Sequence, residues 1–172
     1  MKIEDIINQI NFRSNPKSAL YFELFIQNLL KLHLEKQGKQ FISDYVIDGN
    51  RLDGYSKNGI GNYEGPVAFE IKYTHRYNPM IMRYTVRQLT GILDSEKIKH
   101  MILIYPADSD KMRYFLRNEN PKLILWGITE INGLIDANKE EAEYIANSLF
   151  KLEIKKELNR RDNDWKKSRE EL

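Results

Sequence analysis

The sequence contains no cysteine, which removes disulfides, thiolate zinc sites and cysteine nucleophiles together and fits a reducing compartment. Histidine is almost as scarce. His33, His75 and His100 lie far apart and form no His-x-x-x-His pair, so a histidine zinc centre has no basis. No apolar run approaches the roughly 20 residues that span a bilayer, and the opening MKIEDIINQI places acids where a signal peptide carries a basic stretch. These absences read as a soluble cytoplasmic protein with no membrane partner. An excess of either charge is lacking too: 27 Lys and Arg stand against 25 Asp and Glu. A polyanionic partner would therefore have to be met by positive charge concentrated locally. Internal repeats and low-complexity tracts are absent.

What is present suits one domain. A chain of 172 residues that is 41% hydrophobic can bury a core, and its 30% charged residues solvate the outside of it. The reading places that domain at 1–150. Residues 151–172, nearly two thirds charged with few apolar positions, read as a helix or linker leading to a further domain.

Residues 16–37 carry apolar residues at helical spacing, with Ser14, Asn15 and Pro16 as starting signals and Gly38 as a stop. The segments 41–47 and 51–56 flank Asp48, Gly49 and Asn50, the residue types a tight hairpin requires. A glycine-rich stretch leads into VAFEIKYT (67–74), the strongest strand by propensity and alternation. Met82, Val86, Leu89 and Leu93 mark one face of a helix over 79–99. Strands at 101–106 and 122–128 enclose a helix around 108–118, and one amphipathic helix follows over 129–150, weakened by Gly133. The order is α-β-β-β-α-β-α-β-α, an α/β fold with a mixed sheet flanked by helices.

The strand at 67–74 carries the chemistry. Alternation puts Val67, Phe69, Ile71 and Tyr73 on one face and Ala68, Glu70, Lys72 and Thr74 on the other. Burying a carboxylate and an ammonium on a central strand costs several kcal/mol per ion unless they pair or bind metal. A divalent cation held by Glu70 and by a second carboxylate from the hairpin offsets that cost, and Asp53 is the candidate, with Asp48 as a substitute. Two carboxylates, Mg²⁺ and Lys72 suffice to activate a water and stabilise a phosphate under attack.

Asp53 followed by Glu70-Ile71-Lys72, in a hairpin-then-strand context after an acid-bearing helix, resembles the PD-(D/E)XK nucleases, restriction-endonuclease-like in fold and closest to the Mrr-like branch. Leu52 stands where the name pattern has proline. The resemblance implies a Mg²⁺- or Mn²⁺-dependent endonuclease acting on double-stranded DNA, as the effector domain of a bacterial defence or restriction system. Because an unregulated nuclease would endanger its host, activity is expected to depend on homo-oligomerisation or on a further domain. The resemblance also implies that Asp53, Glu70 and the Ile71 carbonyl ligate metal, that Lys72 is the catalytic lysine, and that Glu23 and Gln88 approach the site from their helices. Two other readings use the same residues: a catalytically silent module binding nucleic acid or a partner protein, and a junction-resolvase-like enzyme.

Between Lys72 and Asp94 there is no acid, while His75, Arg76, Arg83 and Arg87 crowd the segment. Arg83 and Arg87, four apart, share a helix face and could grip successive phosphates. Each feature also has a plainer reading. Glu70 and Lys72 could be an ordinary pair on a half-exposed strand. Glu23 could edge a solvated stripe with Gln27, Asn28 and Lys31. Asp44 and Asp48 read as strand-edge and turn residues, the Tyr and Met residues at 77–84 as packing, and Trp126 as core.

Overall fold

The computed structural model describes residues 1–14, 17–116 and 120–149. The expected helix or linker at 151–172, and the starting signals Asn15 and Pro16, lie outside the described residues. The elements are α1 (Ile3–Ser14), α2 (Ser18–Lys36), β1 (Ile42–Ile47), β2 (Asn50–Ser56), β3 (Val67–Ile71), α3 (Pro79–Leu93), β4 (His100–Ile104), α4 (Ser109–Leu116), β5 (Leu123–Trp126), α5 (Ile128–Ala137) and α6 (Lys139–Leu149). The strands form one five-stranded sheet in the order β1-β2-β3-β4-β5. Its first three strands run antiparallel, and β3, β4 and β5 run parallel.

The hairpin forms because Asp48 and Gly49 both take left-handed backbone, φ 50° and 79°. That two-residue turn matches the twist of the flanking strands. The parallel half follows from its connections, since α3 and α4 are the crossovers that parallel neighbours require. Val67, Ala68 and Phe69 are fully buried, as a strand covered by helices on both faces must be.

Alternation sorts the core into two clusters, one on each side of the sheet. Val67, Phe69, Ile71, Ile102 and Ile104 pack with α1, α2, α5 and α6. Ala68, Met101, Leu103, Leu123 and Leu125 pack with Met82, Leu89, Ile92 and Leu93 of α3 and Met112 of α4. Among the described residues no helix is long and apolar enough to cross a membrane.

The structure differs from the sequence reading at several places, among them the helix expected over 79–99, which ends at Leu93. α1 is an additional helix, seated by Ile3, Ile6 and Ile10, each at most 1% exposed. The single helix expected over 129–150 is two, and the break falls at Asn138, not Gly133. Buried Asn138 donates to the Leu134 carbonyl at 2.8 Å, accepts from Lys36 Nζ at 3.2 Å and meets His33 Nδ1 at 2.9 Å, so its side chain ties the junction to α2. Strand β3 stops at Ile71 rather than Thr74, although the Lys72 amide still donates to Ile104. Trp126 is half-buried at the margin of the core rather than inside it.

Candidate functional site

The strands β2 and β3 part after the pair Gly54↔Phe69, and no further partners form toward Leu52 and Ile71. Parting leaves the Ile71 amide facing β2 without a strand acceptor. Asp53 replaces the missing strand: its Oδ2 accepts the Ile71 N–H at 2.7 Å. Within an extended strand the carbonyl of a residue faces the same edge as its amide, so the Ile71 carbonyl is turned to the Asp53 side as well. The Asp53 carbonyl in turn accepts from Gln27 Nε2 at 2.8 Å, which fixes β2 against α2. Gln27 is buried and structural here, which corrects the solvated stripe that would have placed it beside Glu23 on an open face.

One turn before Gln27, Glu23 brings a carboxylate to the same place. A third arrives from β1, where Asp44 has left-handed backbone at φ 55°, a conformation that Asp tolerates better than most residues. Ligand oxygens of Glu23, Asp44 and Asp53 all lie within 4.8 Å of one another, and all three residues are half-buried. Asp44 also accepts from Arg51 at 2.8 Å. The strand-edge reading of Asp44 overlooked this convergence, and its only local trace is the positive φ. Asp48, the substitute, instead sits at the exposed hairpin tip and pairs with Lys97.

Glu70 and Lys72 form an ion pair at 3.0 Å beside this group, with the Glu70 side chain 12% exposed. Burial pushes the Asp53 carboxyl above its ordinary value, against the pull of the Ile71 amide and the Lys72 charge. Burial also pushes Glu70 up, Asp53 adds to that, and Lys72 opposes it. Burial works to lower Lys72, but the charges of Glu70, Asp53 and Glu23 outweigh it and hold the ammonium protonated above its usual range. Glu23, Asp53, Glu70 and Lys72 therefore share one electrostatic neighbourhood.

The remaining expected residues lie on the stretch of chain that follows β3. His75 and Arg76 are exposed on the connection from β3 to α3, and Arg83, Arg87 and Gln88 are exposed on α3. Among the described residues no hydrogen bond ties Gln88 to the carboxylates. Tyr77, Met80 and Tyr84, expected as packing, are exposed; Met80 and Tyr84 are 66% and 64% so. The buried face of α3 is Met82, Thr85, Leu89, Ile92 and Leu93, and helical spacing leaves Met80 and Tyr84 opposite to it. Comparison with protein-family models, curated proteins and solved structures finds no match to this chain.

Proposed function

We propose that this chain is a metal-dependent nuclease domain of the PD-(D/E)XK type, hydrolysing DNA phosphodiester bonds. The observation that carries the reading is the convergence of Glu23, Asp44 and Asp53 beside the half-buried Glu70–Lys72 pair. The donor set is all oxygen, which suits a hard cation such as Mg²⁺ or Mn²⁺. Burial already disfavours the ionised forms of Asp53 and Glu70, so the group is short of the positive charge that a cation brings.

Asp53 with Glu23 and Asp44 would hold the ion from the hairpin and α2, and Glu70 with the Ile71 carbonyl from β3. A cation held by these residues would supply charge neutralisation at the scissile phosphate and activation of a water near neutral pH. The protein's own groups do the rest. Ile71 and Gln27 fix the Asp53 side chain and backbone, so the carboxylate is oriented before any ligand arrives. Lys72, held protonated by its acidic neighbours, serves as an electrostatic donor to a phosphate oxygen rather than as the base.

Cleavage of supercoiled plasmid tests the reading, with Mg²⁺, Mn²⁺ or EDTA and at high protein concentration. Metal-dependent nicking is expected, with losses of about a hundredfold or more in Glu70→Ala and Lys72→Ala. Nicking that persists in EDTA, or that Glu70→Ala leaves intact, overturns it. A second reading, a catalytically silent nucleic-acid-binding module, is favoured by the acid-free exposed face of α3. It would show salt-sensitive DNA binding with no cleavage in either metal.

A further inference from the structure

The exposed face of α3 combines two properties that seldom occur together. Met80, Arg83, Tyr84, Arg87 and Gln88 fall on one side of the helix, all exposed, because spacings of three and four residues return to the same face. Tyr77 and Ile81 extend the patch at its N-terminal end, 39% and 37% exposed. It is thus a surface of large apolar and aromatic groups. Its own charges are also of one sign, since no acid occurs from Tyr73 to Leu93.

The patch is held in place relative to Lys72. The buried Tyr105 hydroxyl receives the Asn78 amide at 3.1 Å and donates to the Arg76 carbonyl at 3.3 Å. It is also hydrogen-bonded to Thr74. Asn78 then caps α3, accepting from the Met80 and Ile81 amides at 3.1 and 3.3 Å. The connection from Lys72 to α3 is therefore pinned at its centre, with Tyr77 lying 6.0 Å from the Tyr105 ring.

Charge decides what can cover such a face. A second copy docked through it about a twofold axis would set the arginines of α3 against one another, and α3 itself contributes no acid to offset them. A nucleic acid supplies phosphates for Arg83 and Arg87 and base faces for the rings. A blunt duplex hides its base faces by stacking, whereas unpaired bases present them. We propose that α3 binds a single-stranded or unpaired segment of nucleic acid, with Tyr84 and Tyr77 stacking on bases and Arg83 and Arg87 holding the backbone. This rests on the nuclease reading for the fate of the strand, and implies substrates that carry unpaired bases.

Fluorescence anisotropy in EDTA, comparing a labelled oligothymidylate with a blunt-ended duplex of equal length, tests the binding apart from any cleavage. The oligothymidylate is expected to bind more tightly. Tyr84→Ala should weaken it about tenfold, with Tyr84→Phe close to wild type. Arg83→Ala with Arg87→Ala should weaken both probes and flatten the salt dependence. Equal affinity for the two probes, or indifference to Tyr84→Ala, overturns the inference. So does a dimer in sedimentation that Tyr84→Ala dissolves, since a second copy would then occupy the face. Plasmid nicking that needs Glu70 but ignores Tyr84→Ala would leave the nuclease reading standing without this one. Oligothymidylate binding by a protein that cuts nothing would do the reverse.

Discussion

Asp53 is held by a hydrogen bond that favours its charge and a burial that opposes it, and burial prevails. A carboxyl whose folded pKa lies above its unfolded value of about 3.9 contributes its full stability below that value. The contribution is lost as pH rises through the folded value. Glu70 is shifted in the same sense, so without metal both groups weaken the fold between acid and neutral pH. Lys72, shifted up, contributes until pH climbs through its folded value in the alkaline range, outside that window. Asparagine at 53 keeps an oxygen for the Ile71 amide and removes the buried charge. Asp53→Asn in EDTA is therefore expected to be more stable than wild type at pH near 7, by about 1 kcal/mol. The gap should close as pH falls toward about 4. Urea unfolding across that range measures it, and a variant that is weaker at neutral pH would show that the carboxylate is structural. Asp44 shows the limit of reading single residues. Its type at a strand edge is ordinary, and only the φ of 55° and the approach of α2 bring it to Asp53.

At the scale of elements, the parting of β2 from β3 makes the site, and Gly54 is where their backbones last pair. A Cβ there would lie 2.5 Å from the Phe41 ring and 3.4 Å from Phe69. Gly54→Ala is expected to destabilise by about 1 to 3 kcal/mol, read as a lower urea midpoint with unchanged slope. A neutral result would mean that Phe41 swings aside. What was legible in the sequence follows the strength of local signals. Asp48-Gly49 specifies its turn almost alone, and the alternation of VAFEI specifies a strand with Glu70 on the face opposite Phe69. The parallel half was legible because a helix separates each pair of strands. α1 lies outside the sequence reading although Ile3, Ile6, Ile7 and Ile10 keep helical spacing, because that spacing runs over only about three turns at the start of the chain. The break between α5 and α6 depends on contacts of Asn138 with α2, more than a hundred residues away in sequence, and no local pattern announces such a contact. The exposure of Met80 and Tyr84 was hidden because apolar residues are assigned to the core by default.

Across the whole molecule, the three converging carboxylates come from three elements, Glu23 on α2, Asp44 on β1 and Asp53 on β2. The hairpin is the outer part of the sheet, and beyond the Gly54↔Phe69 pair its backbone no longer pairs with β3, leaving the Asp53 side chain on the Ile71 amide as the link. Like charges at the junction of α2 with the hairpin oppose the packing that Gln27 and Asp53 maintain there. An ion held by all three would convert that repulsion into attraction and tie the hairpin to α2. A ligand that binds the folded state alone stabilises it by about 2.7 kcal/mol at a hundredfold excess over its Kd. For a chain of this size that raises Tm by roughly 5 to 10 °C. Thermal unfolding in EDTA and in Mn²⁺ is expected to differ by this order. Asp53→Asn should lose most of the gain, and Asp48→Asn, at the hairpin tip, should keep it. Amide exchange adds the location: β3 and β4, whose exchange follows global unfolding, should gain the increment that Tm reports, and among amides that exchange by local opening those of β1 and β2, whose opening breaks the carboxylate group, should gain most. A Tm that Mn²⁺ leaves unmoved at neutral pH, in a protein still folded, would mean that the carboxylates repel without a cation to hold. A gain shared equally by Asp53→Asn would place the ion elsewhere on the surface.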